Sequence, residues 1–354
     1  MKILYIGSTS GYAGKTLITI SMGLYFQSIG LKVGYMKPIG TSTSTIENKH
    51  IDEDAVFTQK ALGLNYDPEI VTPVVVSRDL QLSVFKKGCP DFMATILKAF
   101  EILKEDKDIM LVCGSGSFLH AGKYCNIAGI DVAKALEAKV VLIDRFFTEF
   151  YYDYLLSAKE LLDDALIGCI LNSVPDYIMD DVNNLLIPLL NRKQIDVLGI
   201  IPRDSILYSI SVKNLAKRLK GNLITGKNKQ NNLVREFIIG TMQVENFMLH
   251  YQKRQKPAVI VGGDRSDIQL VAIEGKCSCL ILTGNIYPSE IIITRAKELE
   301  IPIIVVKEDT YTIAKKMETI LNTMKLLDET KLNHGYNLVK NHINWTKINK
   351  AFGI

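Results

Sequence analysis

Long apolar runs, one-sided charge and clustered metal-binding residues are what this 354-residue chain lacks. No stretch approaches the ~18 uninterrupted apolar residues of a membrane span, so no membrane partner is expected. Basic residues number 42 and acidic ones 38, leaving a net charge of +4 that is too mild and too dispersed to mark a nucleic-acid surface. Five histidines show no ligand spacing, and six cysteines at 89, 113, 125, 169, 277 and 279 are scattered. Cys277-x-Cys279 is the one close pair, without the second pair that a zinc site needs. The cysteines read as structural thiols of a reducing cytoplasm. Met1–Ile6 lacks the long apolar region and small-residue cleavage site of a secretory leader, so a cytoplasmic location is expected.

What is present is alternation. Ile3–Ile6, Val33–Met36, Ile109–Cys113, Val140–Ile143, Leu166–Leu171 and Val197–Ile201 are short apolar runs of strand length. Helical patterns separate them, at Lys15–Ser28, Asp52–Leu62 and Asp91–Glu105. That order predicts a parallel α/β sheet with helices on both faces. A polar, turn-rich stretch around Gly221–Asn232 predicts a connection between domains. Beyond it, Ala258–Val261, Cys279–Leu282 and Pro302–Val306 restart the pattern on a smaller scale. The expected division is 1–221, a linker at 222–232, a smaller α/β domain at 233–325, and a helical segment at 326–354. Val259, Ile260, Leu280, Ile281, Ile303 and Ile304 look more apolar than so small a domain can use, which predicts self-association.

The sharpest motif is Gly7-Ser8-Thr9-Ser10-Gly11-Tyr12-Ala13-Gly14-Lys15-Thr16, placed after the first strand and opening the first helix. Consecutive backbone N–H groups there can wrap a phosphate, and the helix N-terminus favours negative charge. Lys15 would neutralise the β/γ-phosphates and Thr16 would ligate Mg²⁺. Thr9 stands where the strict P-loop pattern has glycine. The expected ligand is ATP or another nucleotide with Mg²⁺, bound by residues 9 to 16.

Over its first 220 residues the chain resembles dethiobiotin synthetase and the related amidoligases of cobyrinate synthesis, a P-loop NTPase fold. Gly34-Tyr35-Met36-Lys37-Pro38 is similar to the family's strand end, whose lysine faces the transferred phosphate. The resemblance implies a metal-binding aspartate at Asp54 and an adenine-reading asparagine at Asn172. It also implies a magnesium-binding glutamate where this chain has Cys113. Read from the residues alone, Asp54 equally suits a helix start, Asn172 a turn cap, and Asp144-Arg145 either a crevice edge or a salt bridge. Thr41–Thr45 reads as a substrate-contacting or a flexible loop. Gly262-Gly263-Asp264-Arg265-Ser266-Asp267 resembles the core of the DRTGG domain. There Gly262, Gly263, Asp264, Arg265 and Asp267 either bind an unidentified small molecule or hold a local turn. The pair of domains resembles the N-terminal region of long phosphate acetyltransferases, without their catalytic domain. Two functions are expected: a regulatory or metabolite-sensing nucleotide binder, or an ATP-dependent ligase or kinase that activates a carboxylate, with Lys15 and Lys37 as its catalytic residues.

Overall fold

The computed structural model describes residues 1–41, 43–46, 49–323 and 329–354. It divides into two units, Met1–Arg203 with Lys325–Ile354, and Asp204–Met324.

The first unit is built on strands β1 (Lys2–Ser8), β2 (Val33–Met36), β3 (Ile109–Cys113), β4 (Lys139–Arg145), β5 (Leu166–Val174) and β6 (Val197–Pro202). They form a six-stranded sheet in the order β6-β5-β4-β1-β3-β2, every pairing parallel. Such strands are covered on both faces, which is why all five residues of β3 are apolar and buried. Helices α1 (Lys15–Ser28), α2 (Glu53–Ala61), α3 (Phe92–Leu103), α4 (Gly129–Ala135) and α5 (Tyr152–Leu162) provide that cover. In α3, Ile96, Ala99, Phe100 and Leu103 recur at helical spacing and are buried. Asp91 starts this helix by accepting from the Ala94 N–H, a cap of about 1 kcal/mol. Of the 41–45 stretch, Ser42 lies outside the described residues, while Thr43–Ile46 pairs antiparallel with Lys49–Asp52.

The second unit holds strands β7 (Asn222–Thr225), β8 (Phe237–Ile239), β9 (Ala258–Gly262), β10 (Cys279–Thr283) and β11 (Ile303–Val305). Their order is β7-β11-β10-β9-β8, parallel except for β7 against β11. Helices α6 (Val212–Leu219), α7 (Val244–Tyr251), α8 (Ser266–Glu274), α9 (Glu290–Glu298) and α10 (Thr310–Asn322) complete it. Two apolar clusters flank the sheet. One joins Leu215, Leu219, Ile313 and Met317 to Ile260, Ile281 and Ile304. The other joins Phe247, Ile268 and Ile292 to Val259, Leu280 and Ile303. The six strand residues expected to drive self-association are thus fully buried inside their own unit, because helices cover both faces.

The expected boundaries also shift. Asn222–Thr225 is a strand of the second sheet rather than linker, and α6 packs into the second unit's core. The C-terminal helices α11 (Glu329–His342) and α12 (Trp345–Phe352) belong to the first unit. Trp345 stacks on Tyr25 of α1 at 4.0 Å, and the Asn344 N–H donates to the Leu198 carbonyl of β6.

The reading of all six cysteines as free thiols is corrected for two of them. Cys89 and Cys125 form a disulfide with Cα atoms 5.5 Å apart, and Cys113, Cys169, Cys277 and Cys279 are free and buried. The pair lies 36 residues apart in the chain, a separation that carries no motif. Among the described residues no helix is long and apolar enough to cross a membrane.

Candidate functional site

The phosphate loop leaves β1, which has β3 on one side and β4 on the other, and enters α1. Gly14 takes φ 97°, a left-handed turn that tips the chain into the helix without a side-chain cap. Gly14 therefore offers no side-chain acceptor to the first N–H groups of α1, which helix geometry leaves without intrahelical partners. Lys15 folds across the loop, donating to Ser8 Oγ at 2.6 Å, the Gly116 carbonyl at 3.0 Å and the Ser10 carbonyl at 3.5 Å. Burial pushes its ammonium down to about 8, Cys113 and Asp54 work against that fall, and Lys37 adds to it.

At the end of β2, Lys37 is buried and gripped by two carboxylates. Its Nζ lies 2.7 Å from Asp52 Oδ1 and 3.3 Å from Asp54 Oδ2. Burial opposes its charge, but Asp52 and Asp54 outweigh burial and hold its pKa above the ordinary lysine value. Asp52, which sequence reasoning did not single out, is the more closely held of the two. It is buried, caps α2 through the Ala55 N–H at 2.9 Å, and accepts the Thr41 N–H at 2.9 Å. Its position just before a helix was the available signal. Asp54 is partly exposed. Cys113 ends β3 beside them, and burial pushes its thiol up while Lys37 and Lys15 pull it back. A neutral thiol is a poor ligand for Mg²⁺, which prefers hard oxygen donors. Among the described residues no group of three or more His, Cys, Asp or Glu side chains could hold a metal ion.

The loop is held from beneath by strand ends. Thr9 Oγ1 donates to Asp144 Oδ1 at 2.6 Å, which gives the non-glycine residue at position 9 a structural use. Arg145 donates to the Tyr12 carbonyl at 2.8 Å and lies over the Phe147 ring at 4.4 Å. Asn172 donates to the Ala13 carbonyl at 2.7 Å. Residues 9 to 16, Lys37, Asp54, Cys113 and Asn172 are thus gathered at the carboxyl ends of the parallel strands, where α/β sheets place ligands.

The Gly262–Asp267 cluster lies in the other unit, between β9 and α8. A Cβ on Gly263 would run into the Ile286 carbonyl, so only glycine fits there. Arg265 is paired twice to Asp267, at 2.9 and 2.8 Å, and reaches the Met242 carbonyl at 3.2 Å. Buried Gln269 donates to the carbonyls of Gly262 and Gly263. Asp264 belongs to the same turn, its Oδ1 lying against the place a Gly262 Cβ would take.

A six-stranded parallel sheet whose first strand feeds a glycine-lysine-threonine loop defines a P-loop α/β domain. Residues 2–210 match the AAA domain model, and the chain belongs to that family. Residues 214–320 match the DRTGG domain. The phosphate acetyltransferase of Nitratidesulfovibrio vulgaris is 22% identical over 363 residues, which cover 98% of this chain and 51% of that protein. ATP-dependent dethiobiotin synthetase BioD of Methanococcus vannielii is 27% identical over 186 residues, covering 49% of this chain and 83% of that protein. Among solved structures, the CBS and DRTGG region of Clostridium perfringens pyrophosphatase is 21% identical over 40% of this chain and 69% of its own, with a TM-score of 0.30. The chain spans about half the length of the phosphate acetyltransferases it matches.

Proposed function

We propose that this chain is an ATP- or nucleotide-binding protein with a regulatory or metabolite-sensing role, in which turnover is slow or absent. The observation that carries this reading is the state of Lys37. Closed between Asp52 and Asp54, it is a neutralised group and offers little to an acyl phosphate or a transferred phosphoryl group. The thiol at 113 removes an oxygen donor from the metal side. The parts that address phosphate remain: the loop N–H groups, Lys15 and Thr16. The donors present suit a Mg²⁺ that arrives with the nucleotide, held by the Thr16 hydroxyl, Asp54, phosphate and water, since Mg²⁺ keeps several waters and needs only one or two carboxylates. Phosphoryl transfer depends on metal neutralising the developing charge, so turnover suffers before binding does. The DRTGG unit would carry the response, through a small-molecule ligand at the Gly262–Asp267 turn or through association.

Mass spectrometry of small molecules released from the purified protein, then calorimetry with ATP, ADP and GTP with and without Mg²⁺, tests the reading. Nucleotide binding with no product in a carboxylate screen supports it. Turnover of about 1 per second, ordinary for an enzyme, with any carboxylate substrate would sink it.

A further inference from the structure

The second unit has an open cavity of about 1550 Å³ at the amino-terminal edge of its sheet, opposite the edge that bears the Gly262–Asp267 turn. Its lining follows the entries to β8, β9, β10 and β11 and the ends of α7, α8 and α9. Much of the wall is apolar. Met248 and Tyr251 come from α7, Leu270 and Val271 from α8, and Leu299 from the end of α9. Met248 and Leu270 are each 41% exposed, so the unit's own core leaves this surface uncovered. The charge on the lining is one-sided, with five cations against three acids. All three acids are engaged, Glu274 and Glu298 with Arg295, and Glu300 with Lys229. Arg254 turns to Glu236. Arg295 and Glu236, the partners outside the lining, cancel one another, so a surplus of two positive charges remains. Arg235, Lys256 and Lys276 have no ion-pair or side-chain hydrogen-bond partner among the described residues, and they precede three adjacent strands, β8, β9 and β10. The C-termini of α7, α8 and α9 reach the same edge, and each adds at most about half a negative charge, which reduces the surplus without removing it.

We propose that this cavity binds a small amphiphilic anion, a molecule with an apolar body and a single carboxylate, phosphate or sulfonate head. The head is met by Arg235, Lys256 and Lys276, and the body covers Met248 and Leu270. Most drug-sized ligands occupy sites of about 300–1,000 Å³, so a fused ring system or an acyl chain has room here. A dense polyphosphate does not suit the place, because it wants helix N-termini and this edge presents helix C-termini. The site goes beyond the nucleotide reading and does not depend on it, since the phosphate loop belongs to the other unit.

Two fluorescent probes test this on the full chain: anilinonaphthalene sulfonate, an aromatic body with one anionic head, and phenylnaphthylamine, its uncharged parent. Each is titrated into the unsubstituted chain and into the double variant Lys256→Gln/Lys276→Gln. Both lysines are exposed, and melting curves establish that the variant is as folded as the parent chain. The sulfonate should bind the variant about fivefold more weakly, while the uncharged probe keeps its affinity within about twofold. Added salt should weaken the sulfonate in the unsubstituted chain and act far less on the variant, because the attraction is between partly solvated charges. A further variant, Leu270→Gln, should weaken both probes together by taking apolar wall from the cavity. Three results overturn the proposal: no saturable binding of the sulfonate below about 1 mM, unchanged sulfonate affinity in the double variant, or equal losses of the two probes in it. The last would mark an apolar groove with no use for an anionic head.

Discussion

Replacing Asp144 with asparagine should stabilise the first unit at neutral pH and change nothing in acid. Asp144 is fully buried at the end of β4, and burial pushes its carboxyl up to about 6 from an ordinary 3.8, even though the Thr9 hydroxyl and the Tyr151 N–H pull it back. Between those two values the folded chain keeps a proton that the unfolded chain has released. Stability is therefore complete in acid and falls as pH rises through 6. About two pKa units correspond to roughly 3 kcal/mol at neutral pH. Asparagine has the same shape. Its oxygen can accept from Tyr151, and its nitrogen can donate to Thr9 Oγ1. Urea unfolding at pH 4, 5, 6 and 7.5 reads the difference, and fluorescence of Trp345, the single tryptophan, reports on the first unit alone because it stacks on Tyr25. Asp144→Asn should match the unsubstituted chain at pH 4 and exceed it by about 2–3 kcal/mol at pH 7.5. A difference that stays flat across the range, or one that favours aspartate above pH 6, refutes the argument and means the carboxylate is stabilised in its charged form.

Lys15→Ala should weaken ATP binding at least about tenfold by calorimetry, and affinity in the unsubstituted chain should fall above pH 8 as Lys15 loses its proton. Unchanged affinity in a folded variant would remove the loop from the nucleotide site. Cys113→Glu restores an oxygen donor and should speed Mg²⁺-dependent ATP hydrolysis by about an order of magnitude in a phosphate-release assay, or ~1.4 kcal/mol in barrier; equal rates would show that position 113 is not what limits turnover. Cys89→Ser opens the bond to Cys125 and should lower stability in oxidising buffer by roughly 3–4 kcal/mol on the loop-entropy account, while leaving stability in reductant unchanged. Thiol titration of the unfolded, unreduced chain should find four of six cysteines, and a count of six refutes it. Light scattering at tens of micromolar should find a dimer that Ile291→Lys or Tyr311→Lys breaks, since these exposed residues are among the second unit's remaining apolar surface.

The legible parts of this molecule were the contiguous ones. Residues 7–16 announce a phosphate loop because the glycines, the lysine and the strand-to-helix context are adjacent in sequence. The parallel sheet was readable for a similar reason, since a strand buried on both faces writes itself as an unbroken apolar run. Asp144, Arg145 and Asn172 act on Thr9, Tyr12 and Ala13 across more than 130 residues, and strand order alone brings them there. The resemblance points to Asp54 as a metal-binding carboxylate, and nothing in the spacing tells that Asp52 and Asp54 both close on Lys37. The apolar strands of the second unit misled for a different reason. Composition reports how much apolar surface exists, while α6 and α10 decide whether any is left uncovered.

The return of residues 325–354 to a unit begun at residue 1 sets an order of events during synthesis. When β6 has been made, the Leu198 carbonyl and the Tyr25 ring still await Asn344 and Trp345. The whole of 204–324 must be translated before those partners exist, a delay on the order of 10 s at ribosomal speed. The intervening unit is continuous in sequence and closes both of its apolar faces with its own helices, so it can finish first. The older half of the chain waits, edge open, for a strap that emerges only after the second unit.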